Sequence, residues 1–214
     1  MIVNQTETEK IKAIKQSFRA VMNGVVAQSM RERGVEWGMN WGVPLPALKA
    51  MAAEMGDDYA LAAALWKEDV RECKILATLT MPAGAMAMDL AELWMEQIHT
   101  RELAELTAFN LFQRLPFAAD LAFRWMAQAA PLHQIAAFNI LARLFAQGKE
   151  PNEGEINEFL DQAHAVLQED DRAVKHAAMN ALQRFGELSD EHRSIAAAAM
   201  RDIRIDGMPV VSTD

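Results

Sequence analysis

Apolar residues recur at steps of three and four along nearly the whole chain. Leu48, Met51, Ala52 and Met55 fall at 0, 3, 4 and 7; Val174, Ala177, Ala178, Ala181, Leu182 and Phe185 fall at 0, 3, 4, 7, 8 and 11. That spacing sets them on one side of an α-helix, so each segment carries a stripe that a neighbour must cover. Strand patterns are sparse: β-branched runs are short and the chain has a single Tyr. Proline and glycine divide the pattern. Pro82, Pro116, Pro131 and Pro151 each precede a helical stretch, and Gly56, Gly148 and Gly186 each follow one. The stripes predict helices over 6–33, 45–56, 58–67, 69–80, 85–98, 100–115, 117–129, 132–147, 152–169, 171–186 and 189–204.

These segments group in pairs. In 152–186 the first helix sets Ile156, Phe159, Leu160, Ala163 and Leu167 on one face; an acidic turn, Asp170-Asp171, leads into the second. Segments 45–80, 85–115 and 117–147 have similar helix–turn–helix lengths. Units of this size that each bury one face against the next build a solenoid. Helix 132–147 is apolar almost all round, with Ile135, Phe138, Ile140, Leu141, Leu144 and Phe145, and is expected to be buried on two sides. No linker divides the chain, so 1–214 reads as a single helical-repeat domain with tails at 1–8 and 206–214. The first helix, the most basic segment, reads as an N-terminal cap.

Charge is shared unevenly. The net charge is −9, which disfavours a polyanionic partner unless cations gather on one face. Helices 85–98 and 152–169 carry acids and no Lys or Arg, whereas Arg71, Lys74, Arg101, Arg143, Arg172, Lys175 and Arg184 lie on the alternate helices. The pattern predicts a mildly basic strip on one wall and an acidic exterior on the other.

One Cys, Cys73, excludes an internal disulfide; with no apolar run near the ~20 residues of a membrane span, a cytoplasmic location is expected and no membrane partner. Gly-rich phosphate loops and the GxSxG elbow are absent, and the five His show no metal-ligand spacing, so no cofactor, nucleotide or metal is expected.

Residues 42–79 carry a more specific signal. Gly42-Val43, Pro46 and Leu48, then Leu65-Trp66, Glu72 and Ile75-Leu76-Ala77, resemble the AlkD-like DNA alkylation repair family. The resemblance implies an all-α fold, a right-handed α–α superhelix of about five or six HEAT-like (armadillo-like) helical pairs. It also implies a concave groove that cradles the backbone of duplex DNA. In that family an early Trp and two acids three residues apart frame the damaged nucleotide, and a later Arg holds phosphate. The acid stabilises the positive charge that grows on the sugar as a cationic base leaves. The matching stretch here is 98–107. Glu102 and Glu105 keep the spacing as catalytic candidates, Arg101 stands where the family has Trp, and His133 is the sole candidate for the later cation.

The resemblance therefore implies backbone binding with N-glycosylase activity on alkylated bases weakened or lost, and leaves enzyme status open. The DNA-binding candidates are Arg71, Lys74, Arg101, His133, Arg143, Lys175 and Arg184. Trp37 and Trp41, four apart, are either a stacking platform for a base or packing at the first helical junction. The alternative function is a non-catalytic scaffold that binds another protein.

Overall fold

The computed structural model describes residues 5–205 and 208–209. Twelve α-helices account for most of them: α1 Gln5–Val21, α2 Gly24–Glu32, α3 Leu45–Met55, α4 Tyr59–Trp66, α5 Arg71–Thr80, α6 Met88–Glu96, α7 Arg101–Asn110, α8 Ala118–Met126, α9 Pro131–Ala146, α10 Glu153–Gln168, α11 Arg172–Gly186 and α12 Asp190–Ala199. They gather into two compact units, Met1–Ala87 and Met88–Asp214.

Local chemistry sets the helix ends. Pro44 and Pro46 open α3, where a missing N–H is harmless, and Gly56 closes it at φ 69°. Asp58 caps α4 by accepting from Leu61 N at 3.0 Å. A reciprocal capping box, Asn152 with Glu155, opens α10, and Asp171 caps α11 through Ala173 N and Val174 N.

Two readings of the sequence change. The stretch 6–33 is two helices: Asn23 breaks it and caps α2 by accepting from Val26 N at 3.1 Å. Near the C-terminus, Arg204–Ile205 pairs antiparallel with Met208–Pro209. The dipeptide between them in sequence, Asp206-Gly207, is a strong hairpin signal that the helical reading overlooked. Of the segments read as tails, 1–4, 206–207 and 210–214 lie outside the described residues, and α1 already begins at Gln5.

In the first unit α5 is the central rod. Every residue from Arg71 to Thr78 is buried, and the helix packs against α3 and α4. The second unit has two layers. α9 packs against α7 on one side and α11 on the other, with α8 behind it, while α10 touches α8, α11 and α12. α9 is buried around most of its circumference, as its apolar pattern requires. Phe145, Phe159 and Phe185 meet edge-on or tilted with ring centres 5.2–5.5 Å apart, tying α9, α10 and α11 into one core.

Candidate nucleic-acid interface

In the first unit the charged residues of α5 are structural. Glu72 is fully buried; its carboxylate accepts from Trp41 N and Val43 N at 3.2 Å. Arg71 Nη1 donates to Glu72 Oε1 at 3.2 Å and to Val43 O at 3.1 Å. Lys74 Nζ donates to Trp66 O at 2.7 Å and lies 4.6 Å from the Trp66 ring centre; burial lowers its pKa. Arg71 and Lys74 were expected on a basic strip. They are instead turned inward, because backbone carbonyls inside the fold receive them: Val43 O in the 39–43 loop takes Arg71, and Trp66 O at the end of α4 takes Lys74.

That loop is tightly clamped. Met39 pairs with Val70, and Trp41 O accepts from Asn23 N at 2.9 Å. Gly42 sits at φ 67°, where a Cβ would meet Asn23 O at 2.1 Å, so backbones approach here as only glycine allows. Trp41 is half-buried, with the Arg19 guanidinium 5.9 Å from its ring centre. Trp37 is half-buried as well. Trp41, but not Trp37, lines a cavity between α1, the 39–41 segment and the end of α4. The sequence signal for that cavity was the single face of α1 that carries Lys12, Lys15 and Arg19, which had been read only as a cap.

In the second unit the exposed and half-buried positions are 101, 102, 105, 106 and 109 on α7, 131–133, 139, 143 and 146 on α9, and 172, 173, 175, 176, 179, 180, 183 and 184 on α11, most of them in stripes at helical steps. Arg143 joins two of these stripes: its guanidinium lies 4.8 Å from the Phe109 ring centre and its Nε donates to Gln113 Oε1 at 3.3 Å. Arg172 and Lys175 have no ion-pair partner among the described residues, and Arg184 pairs with Glu187 at 2.7 Å in an exposed position. α9 and α11 contain no acidic residue. The other layer is the reverse: α6 and α10 carry acids and no Lys or Arg.

The remaining candidates divide. Arg101 Nε donates to Glu105 at 2.7 Å, an exposed pair one turn apart on α7, and Glu102 lies beside them in the first turn, which Thr100 caps. His133 does not join the basic stripe. Its ring meets Trp125 edge-on at 6.1 Å, on the side of α9 toward Glu92 and Glu96. Burial lowers its pKa despite those acids, which favours the neutral ring. Glu92 itself accepts from Trp125 Nε1 at 2.6 Å and Arg124 Nη1 at 3.0 Å.

No group of His, Cys, Asp or Glu among the described residues is arranged to hold a metal ion, and no described helix is long and apolar enough to cross a membrane.

Stacked helical pairs, with cations and no acids on α9 and α11 and acids without Lys or Arg on α6 and α10, define the second unit as part of a helical-repeat protein. The model of the DNA alkylation repair enzyme family matches residues 14–202, and the chain belongs to that family. It is also similar to a solved structure described as "A new family of proteins related to the HEAT-like repeat DNA glycosylases with affinity for branched DNA structures". Identity is 17%, with a TM-score of 0.80 over 90% of this chain and 82% of that one. A likeness at that identity shows the fold, and it is the HEAT-like repeat fold expected from the sequence. No curated protein matches the chain.

Proposed function

We propose that this protein binds DNA by its sugar–phosphate backbone, along the α7–α9–α11 face of the second unit, without excising bases. The observation that carries the reading is the sorting of charge by layer. The wall of α9 and α11 presents Arg143, Arg172 and Lys175 with no acid from either helix, Arg184 being paired with Glu187 just past α11 and the acids Glu102 and Glu105 lying on α7, although the whole chain is at −9. Guanidinium and ammonium groups spaced along adjacent rods suit a polyanion whose phosphates are regularly spaced. Membership of a DNA alkylation repair family supports nucleic acid as the partner.

The case against excision is chemical. Stabilising a growing positive charge on the sugar needs a preplaced, water-poor carboxylate. Glu105 is more than a third exposed and already engaged by Arg101, which neutralises the charge the sugar would need.

Fluorescence anisotropy of a labelled duplex, repeated from low to moderate salt, tests the proposal. Three phosphate contacts give a slope of log K against log salt of about −2.5 to −3. Lys175→Ala and Arg172→Ala should each reduce that slope by about 1 while leaving the fold intact. Absence of duplex binding at low salt, or slopes that neither substitution changes, would overturn it. Release of a methylated purine from duplex DNA would replace the binding-only reading with an enzymatic one. Branched junctions belong in the same assay, because the structurally similar protein is described as having affinity for them. The second reading, a protein scaffold, is favoured by the acid-only helices α6 and α10, which would suit a basic protein partner.

A further inference from the structure

The first unit contains a cavity of about 480 Å³, within the size range of small-ligand sites. One wall is a single face of α1, with Thr8, Ile11, Lys12, Lys15, Gln16 and Arg19 at 0, 3, 4, 7, 8 and 11. Opposite are Trp41, Met39 and Ala64, with Lys67 and Glu68 at the rim. Lys15 forms an ion pair with Glu68. That pairing cancels the one acid lining the cavity and leaves Lys12, Arg19 and Lys67 as net positive charge around an apolar floor. Trp41 offers its ring rather than its polar edge: the indole N–H is shut away from solvent, and Arg19 stands over the ring.

A cavity with a flat aromatic wall, an apolar floor and three uncancelled cations matches a ligand that is half planar ring and half phosphate. We propose that this cavity holds a single unstacked nucleotide, with its base against Trp41 and its phosphate among Lys12, Arg19 and Lys67. The proposal is independent of the α7–α9–α11 face and involves different residues. Base stacking on an aromatic side chain and phosphate attraction to nearby cations are each sequence-tolerant, so the site selects for a nucleotide rather than for one base. The shared chemistry has two sources, a free nucleoside monophosphate or the 5′-phosphorylated end of a DNA strand.

Calorimetric titration of the full chain separates the outcomes, with dAMP, deoxyadenosine, inorganic phosphate, and a short single strand bearing either a 5′-phosphate or a 5′-hydroxyl as probes. We expect dAMP to bind at least about tenfold tighter than deoxyadenosine or inorganic phosphate, since both halves of the ligand contribute. Lys12→Ala and Arg19→Ala change exposed side chains, so they should weaken binding with an unchanged far-UV spectrum. Trp41→Leu should remove the advantage of dAMP over inorganic phosphate. Lys175→Ala should leave dAMP binding unchanged, which keeps this test separate from that of the duplex face. A 5′-phosphorylated strand binding tighter than dAMP and its 5′-hydroxyl counterpart assigns the site to strand ends; dAMP binding as tightly as that strand assigns it to the free nucleotide. No dAMP binding, inorganic phosphate competing as well as dAMP, or unaltered affinity in both cation variants would overturn the proposal.

Discussion

Glu72→Ala is the most informative single change in the first unit. The substitution removes a fully buried carboxylate that holds Trp41 N and Val43 N, and it takes the Glu72 partner from the Arg71 guanidinium, which is 5% exposed. Each orphaned backbone N–H costs about 1–3 kcal/mol, and removing one partner of a buried ion pair costs about 3–5 kcal/mol. These penalties overlap because they share one carboxylate, so the expected loss is about 3–5 kcal/mol rather than their sum. Urea unfolding followed by tryptophan fluorescence reads it directly, since Trp37, Trp41 and Trp66 all lie in the first unit. Glu72→Gln is the control. It keeps the volume and one acceptor oxygen, but it presents an NH₂ group where the carboxylate accepted, so it should lose part of the stability and not recover it. A loss below about 1 kcal/mol for Glu72→Ala would refute the view that this carboxylate anchors the 39–43 loop, because it would fall within the range of ordinary surface changes.

Other outcomes follow from packing and ionisation. Leu182 is 1% exposed between helices, so Leu182→Ala should cost about 2–5 kcal/mol in chemical denaturation, and a smaller loss would mean that the α11 stripe is not core. His133 has its pKa lowered by burial, so the unfolded chain takes up the proton more readily; stability should fall as pH drops below about 6.5, and His133→Gln should flatten that part of the profile in thermal melts. The Cys73 thiol is pushed up to about 12 by burial, so iodoacetamide at pH 8 should modify denatured protein quickly and native protein hardly at all.

The helical architecture was legible because its signals are local. Apolar spacing, prolines and capping residues located eleven segments; the structure divides the first into α1 and α2 and ends the 100–115 segment in a separate 3-10 turn at Phe112–Arg114. The break after α1 was visible in Asn23-Gly24, which the surrounding helical pattern obscured, and the terminal ladder was visible in Asp206-Gly207, which the reading of 206–214 as a tail passed over. Charge was read less well, for a physical reason. A sequence shows that Arg71 and Lys74 are cationic; it does not show that Val43 O and Trp66 O wait inside the fold to receive them. His133 illustrates the same limit, since its neighbours Glu92, Glu96 and Trp125 come from other helices. Arg172 and Lys175 do lie on α11, where helical spacing alone sets which side they take.

The unequal loading of the two layers in the second unit has a consequence at a distance. Acids gathered on α6 and α10 and cations gathered on α9 and α11 give this unit an uneven charge distribution, and so an electric moment, which a net charge of −9 conceals. A strand of phosphates would repel the molecule as a whole yet apply a torque to it during approach, turning the cationic wall forward before any atoms touch. Encounters would then be fewer than for a basic protein, but a larger share of them would begin in the productive orientation.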